Sequence, residues 1–307
     1  MPGITVHFTL ARSTLEDWRR RDCAPFDVGD PAARNAFFHG AVGPDLGYFP
    51  GGSRELSDLA HCLRSGRLSR SLLRTASTPR ERAYAWGWVT HVLADQAIHP
   101  WIGRGVGELL HGDRERFVDG SSDLLSHLRV ELGLDAWYGA HHPEVGRLRL
   151  RPVFGPRELG FLNRAFAATY GVAFEPELFE RSLHATVTRV GQALSTLPLV
   201  RGLMGEGLLL PPVGRTLRAI YRTGAVRHVS LAYVTPVQPS PWLLQAVRQE
   251  GRRHGDRMRE ARATDGASLK DWNLDTGRLL ETEDSHPGTR RAMEALDARC
   301  RVRPAEA

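Results

Sequence analysis

The sequence predicts an all-α fold, and two observations carry that prediction. Apolar residues recur at helical spacing along most of the chain, while strand-like alternation is scarce. Several of the periodic segments also open at a proline, which suits the first turn of a helix because its missing N–H has no partner there anyway. The expected architecture is a compact multi-helix bundle over residues 1–300, with a short tail at 301–307.

The elements follow in order. Gly40–Gly52 holds five glycines and two prolines and reads as loop. A helix begins near Ser53 and carries His61. Glu81–His99 reads as one helix, with Thr78-Pro79 as cap and first-turn proline, Pro100 as the stop, and Ala83, Trp86, Val89, Leu93 and Ala97 at helical positions. Ser122–Tyr138 is the next, with Leu124, Leu125, Leu128, Leu132 and Trp137 in period. Pro143, Pro152 and Pro156 punctuate His141–Pro156, the one candidate boundary. Further helices are expected at Arg157–Tyr170, Pro176–Leu197, Pro212–Thr223, Pro241–Arg262 and Pro287–Arg299.

Composition excludes several classes. The 307 residues suffice for a large buried core. Leu197–Val213, the most apolar stretch, is broken by Pro198, Arg201, Glu206, Pro211 and Pro212, so no spanning helix is expected. The N-terminus lacks a basic region followed by an apolar core, and a cytoplasmic protein is the expectation. Cys23, Cys62 and Cys300 are odd in number and far apart, which suits neither a disulfide framework nor a thiolate zinc site. Of the 41 basic residues only Lys270 is a lysine, and the arginines are scattered rather than clustered. A net charge of +6 welcomes an anionic substrate but does not identify one.

The histidines are more informative. Nine of thirteen precede Pro143, so the chemistry is sought in the first half. His91, Asp95 and His99 stand at i, i+4 and i+8, drifting by roughly 80° at about 100° per residue, so all three leave one helical face. Their neighbours are apolar, and burying two imidazoles and a carboxylate together is costly unless a cation satisfies them. A divalent metal does so; a plain buried His–Asp hydrogen bond is the alternative. His127 and Glu131 repeat the i, i+4 device on the next helix, and nitrogen and oxygen ligands with an open position suit catalytic zinc.

Taken in order, His7, Gly40-Ala41-Val42-Gly43-Pro44-Asp45, His61, the His91/Asp95 pair, His99 and the His127/Glu131 pair resemble the zinc-dependent phospholipase C family, whose wider superfamily includes the S1/P1-type nucleases. The resemblance falls within residues 1–140, each motif being weak alone and the ordered combination specific. It implies an all-helical fold holding two or three zinc ions. Asp45, His61, His91 and Asp95 would hold one ion, and His99, His127 and Glu131 a second. His7, with Asp95 bridging, would help hold a third, and Asp45 would position or deprotonate the attacking water. The implied reaction is hydrolysis of a phosphate ester in a phospholipid head group or a small phosphodiester or monoester.

The chain also departs from that pattern. Leu46 and Asp58 stand where choline-binding relatives carry aromatics, and Met1-Pro2-Gly3 replaces an N-terminal tryptophan. The C-terminal half reads helical rather than as a membrane-binding β-domain. The expected partner is therefore a small-molecule or lipid-derived substrate, with no integral membrane segment. The same cluster turned to another hydrolytic or lyase reaction in specialised metabolism is the alternative. An S1/P1-like nuclease ranks lower, because no aromatic–basic interleave offers a stacking groove, and a purely structural metal site is the last option.

Other residues receive ordinary readings. His39 is a spare ligand at best; His111, His141 and His142 are expected at the surface; Trp86, Trp88 and Trp101 are expected in the core. Arg82, Arg104, Arg114 and Arg129 are candidate phosphate clamps in a chain rich in arginine. Gly103–Gly107 follows a helix rather than a strand and is no dinucleotide loop. His254 lies outside the motif set and is expected to be dispensable for metal and activity.

Overall fold

A computed structural model describes residues 3–203, 236–279 and 286–302. Among these residues the chain is all-α apart from one small hairpin. Helix α1 spans Ile4–Arg21 and buries Ile4, Phe8, Ala11, Leu15 and Trp18, a stripe repeating every three or four residues. Helix α2, Pro31–Gly40, starts at Asp30, whose carboxylate accepts from the Ala32 and Ala33 N–H groups. A 3₁₀ turn at Pro44–Gly47 interrupts what the glycine count predicts as loop. Helices α3 (Arg54–Cys62) and α4 (Ser65–Thr75) follow.

Helix α5 is the axis of the fold. It runs from Pro79 to His111, 33 residues and about 50 Å at 1.5 Å per residue. Thr78 and Glu81 form a reciprocal capping box at its start, and Gly112 ends it in the left-handed region (φ 68°). Pro100 does not stop it, contrary to the sequence expectation. An interior proline costs about 3 kcal/mol, and tertiary packing offsets that here. Ile102 and Val106 beyond it are fully buried, and Gly277 of the β1–β2 turn packs against the Pro100 ring. The glycines read as a post-helical loop are thus helical. They admit the following loop: a Cβ on Gly103 would lie 2.3 Å from the Phe117 ring, and one on Gly107 would lie 1.7 Å from the Arg116 carbonyl oxygen.

Helix α6 (Leu124–His141) is capped by Asp123 through the Ser126 N–H, and a single turn, α7, spans Pro143–Gly146. Helices α8 (Pro156–Tyr170) and α9 (Pro176–Leu203) come next, then α10 (Pro241–Ala263) and α11 (Pro287–Val302). The Pro212–Thr223 helix expectation lies outside the described residues. Strands β1 (Trp272–Asn273) and β2 (Arg278–Leu279) pair antiparallel.

One apolar cluster gathers α1 to α5 with α8, α9 and the start of α11, and takes in Val145 and Val153 from the proline-punctuated stretch. A second joins α1, α5, α6 and α10 through Val6, Leu10, Ala94, Ile98, Val130, Leu134 and Val247. Each fully buried side chain of this size contributes about 1.5–3 kcal/mol. Helices α2 and α5 cross backbone on backbone. A Cβ on Gly87 would lie 2.0 Å from the Phe37 carbonyl oxygen, and one on Gly40 would lie 2.0 Å from that of Tyr84. This close crossing seats the 3₁₀ turn that follows α2 beside the middle of α5.

Candidate metal centre

Eight polar side chains converge at that seam, each at most 3% exposed. Helix α5 supplies His91, Asp95 and His99 from one face. Helix α1 contributes His7, the 3₁₀ turn Asp45, α3 His61, and α6 His127 with Glu131. Every site residue singled out in the sequence is therefore brought into one of three groups, the first two sharing His91: His7, His91 and Asp95; Asp45, His61 and His91; His99, His127 and Glu131.

Asp95 reaches three histidines of the first two groups. Its Oδ1 lies 3.3 Å from His7 Nε2, and its Oδ2 lies 2.9 Å from His91 Nε2 and 3.6 Å from His61 Nε2. Asp45 Oδ1 is 3.1 Å from His61 Nε2. The third group is set by Glu131 Oε1, 2.9 Å from His127 Nε2 and 3.8 Å from His99 Nε2. The His7 and His91 rings stack face to face, centroids 4.0 Å apart and 6° from parallel.

Backbone carbonyls aim two of the imidazoles. His61 Nδ1 lies 2.9 Å from the Ser57 carbonyl oxygen and His91 Nδ1 lies 3.0 Å from that of Ala41. With Nδ1–H donating in each case, both rings turn Nε2 to the centre, the outer-sphere arrangement usual for metal-bound histidine. Ser57 also holds the Asp45 turn, since its hydroxyl donates to the Pro44 carbonyl (2.5 Å) and accepts from the Gly47 N–H (2.7 Å). Ser57 escapes a motif search; its one signal is its position four residues before His61.

The charge balance bears on occupancy. Three buried carboxylates face five imidazoles. Burial pushes the His7 and His99 imidazoles down, His99 well below its ordinary range, so these rings do not neutralise the acids. Burial would raise Asp45 and Asp95, but His91 and its neighbours hold both carboxyls below the usual range, so both are ionised. Burial opposes a charge on His61 as well, yet the adjoining Asp45 carboxylate lifts it to about 9. Both oxygens of Asp45 and Asp95, both nitrogens of His7 and His99, and Nε2 of His61 and His91 have no hydrogen-bond partner among the described residues. Buried polar atoms left so are costly. Divalent cations ligated by nitrogen and oxygen would satisfy them, and the donor set suits zinc.

The remaining sequence readings fall outward. His39 donates through Nε2 to the Arg151 carbonyl oxygen at 2.7 Å and joins none of the three groups, so it holds the chain rather than the centre. His111 and His141 are exposed and His142 half-buried, while Trp86 and Trp88 are core. Arg82 and Arg114 are exposed; Arg104 lies over the Trp101 ring, 5.2 Å from its centroid. Asp58, at a position where choline binders carry an aromatic, accepts from the Tyr48 hydroxyl (3.0 Å) and pairs with Arg54 and Arg291. His254, on α10, is buried with both ring nitrogens unpartnered. No helix of the described residues is long and apolar enough to cross a membrane.

The family model described as zinc dependent phospholipase C matches residues 6–159, which hold all eight of these side chains. No curated protein matches the chain, and neither does any solved structure.

Proposed function

The chain belongs to the zinc-dependent phospholipase C family, and from that membership we propose that it hydrolyses the phosphate ester of a small-molecule or lipid-derived substrate through a metal-activated water. The class, a zinc-dependent phosphoesterase, comes with the family; the substrate and the residue roles are our reading. The observation that carries it is the set of buried, ionised carboxylates of Asp45 and Asp95 enclosed by imidazole nitrogens.

When bound, zinc supplies Lewis acidity toward the phosphoryl oxygens and lowers the pKa of a water at the site. We assign Asp45, His61, His91 and Asp95 to one ion, His99, His127 and Glu131 to a second, and His7 with Asp95 to a third. His61 and His91 keep their Nδ1 protons on the Ser57 and Ala41 carbonyls and offer Nε2 inward. Asp45 would orient the attacking water and take its proton. Tyr48, its ring centroid 5.0 Å from that of His61, walls the centre on the α3 side. Asp58 is committed to Arg54, Arg291 and Tyr48, so this wall offers no aromatic cage for a quaternary ammonium, and substrates without choline are favoured.

The test is zinc per chain by elemental mass spectrometry, followed by a panel of phosphomonoesters, phosphodiesters and phospholipids. Two or three zinc ions with turnover on a phosphate ester support the reading. Zinc near zero that does not rise on addition overturns the centre. Full zinc with a blank panel overturns the reaction and points to another hydrolytic or lyase chemistry.

A further inference from the structure

A second cluster of metal-ligating side chains lies apart from the centre. Cys62 ends α3, Asp275 sits in the β1–β2 turn, and His286 immediately precedes α11. One ligand atom from each lies within 4.8 Å of the other two. Cys62 is fully buried and His286 nearly so. We propose that these three residues bind a divalent, thiophilic metal ion that clasps the C-terminal segment to the end of α3.

The geometry assigns the atoms. The Cys62 thiol lies 3.9 Å from Asp275 Oδ2, and the Gly288 N–H donates to His286 Nδ1 at 3.2 Å, a long bond that an ion would displace. A Cβ built on Gly288 would fall 2.7 Å from Cys62 Sγ and 3.1 Å from His286 Nδ1, so a glycine here lets the start of α11 lie close against both side chains. On its far side, His286 Nε2 faces Asp119 Oδ1 at 3.8 Å. The Asp119 carboxylate thus stands on the outer side of the ring, opposite the nitrogen offered to the ion.

The donor set has the right charge and softness. A thiolate and a carboxylate balance a dication, and a sulfur ligand selects zinc-like ions over magnesium or calcium. Binding releases the thiol proton to solvent, with no oxidation or reduction. The backbone already joins the same elements, because the Leu274 N–H donates to the His61 carbonyl at 2.8 Å. The ion would therefore secure the hairpin and α11 beside the residue that follows His61. The family model ends at residue 159, so the hairpin and α11 lie beyond its match.

Cobalt separates this site from the other, because the His/Asp centre contains no sulfur. The full-length chain, depleted of metal, is titrated with Co²⁺ and followed in the near-ultraviolet and visible. A thiolate-to-cobalt charge-transfer band is expected, and Cys62→Ser should lose both the band and one bound ion per chain. The Cys23→Ser, Cys300→Ser double variant should keep both. Full cobalt loading without the band, or a band that survives in Cys62→Ser, overturns the proposal. Should Cys62→Ser fail to fold by circular dichroism, His286→Gln is read instead and must lose the same ion. Zinc at the His/Asp centre without a thiolate band refutes the clasp and leaves the phosphoesterase reading intact; the band without zinc at that centre does the reverse.

Discussion

Thr5 gives its backbone N–H to Asp135 Oδ1 at 2.7 Å and its hydroxyl to the same carboxylate, across 130 residues of sequence. Asp135 stands four residues beyond Glu131 and eight beyond His127 on α6, and Thr5 stands two before His7 on α1. The pair ties the start of α1 to the face of α6 that carries the candidate ligands. A buried hydrogen-bond group left without its partner costs about 1–3 kcal/mol. Asp135→Ala is expected to lower the unfolding free energy by about 3 kcal/mol in urea denaturation and to reduce zinc retention. Burial pushes the Asp135 carboxyl up to about 7, so the neutral isostere fits the site. Asp135→Asn should stay within about 1 kcal/mol of the parent.

Ser57 positions two candidate ligands at once, His61 through its carbonyl and Asp45 through its hydroxyl. Ser57→Ala leaves the Gly47 N–H and the Pro44 carbonyl without this partner, at a cost of about 1–3 kcal/mol. Losing an outer-sphere residue typically weakens metal affinity by about 10–100-fold, and competition with a zinc chelator should read a drop of that size.

His91→Ala and His127→Ala are expected to strip different parts of the centre. Each should lower zinc per chain and abolish turnover, with His91→Ala the more severe because His91 faces both Asp45 and Asp95. A His127→Ala chain that kept full zinc and full turnover would contradict the assignment of the third group.

Burial holds the His254 imidazole down to about 3, whereas in the unfolded chain it titrates near 6.5. Between these values the unfolded state binds the proton and the folded state does not. Stability therefore rises with pH across about 3–6.5 and is lost as pH falls through that window, by up to about 1.4 kcal/mol per pH unit. His39, held down to about 4 by burial, adds in the same sense. His254→Leu should flatten the slope of unfolding free energy against pH by as much as that amount. An unchanged slope would show that this histidine is not buried neutral.

Gly87 lets α2 lie on α5, one turn before His91. Its Cβ would meet the Phe37 carbonyl, so Gly87→Ala forces the helices apart. Overpacking costs about 1–3 kcal/mol, and the lost stability should appear together with weakened zinc binding, since the Asp45 turn follows α2 directly. A stable variant with full zinc would disprove this coupling.

How far the sequence could be read depended on range. The His91/Asp95 and His127/Glu131 pairs follow from helix arithmetic, and Thr78, Pro79 and Glu81 mark the start of α5 by local chemistry alone. Pro100 is a misleading stop signal because its cost is local, whereas the burial of Ile102 and Val106 that offsets it is tertiary. Asp45, in a glycine-rich turn, has no periodicity to reveal it and was reached through the family resemblance. Ser57, Asp135 and the Cys62 cluster act through contacts with no spacing signal. The bond between Thr5 and Asp135 is invisible until the two helices are laid side by side.

The contact between the end of α3 and the β1–β2 turn also has a consequence in time. Cys62 and Asp275 meet across 213 residues, and the His61 carbonyl finds the Leu274 N–H at that same join. On the ribosome, every candidate ligand through Glu131 emerges well before the segment that closes the His61 side. The ligand set is therefore complete in the nascent chain before the segment that meets its His61 side is made. A chain released before Leu274 would carry every candidate ligand of the centre without that contact.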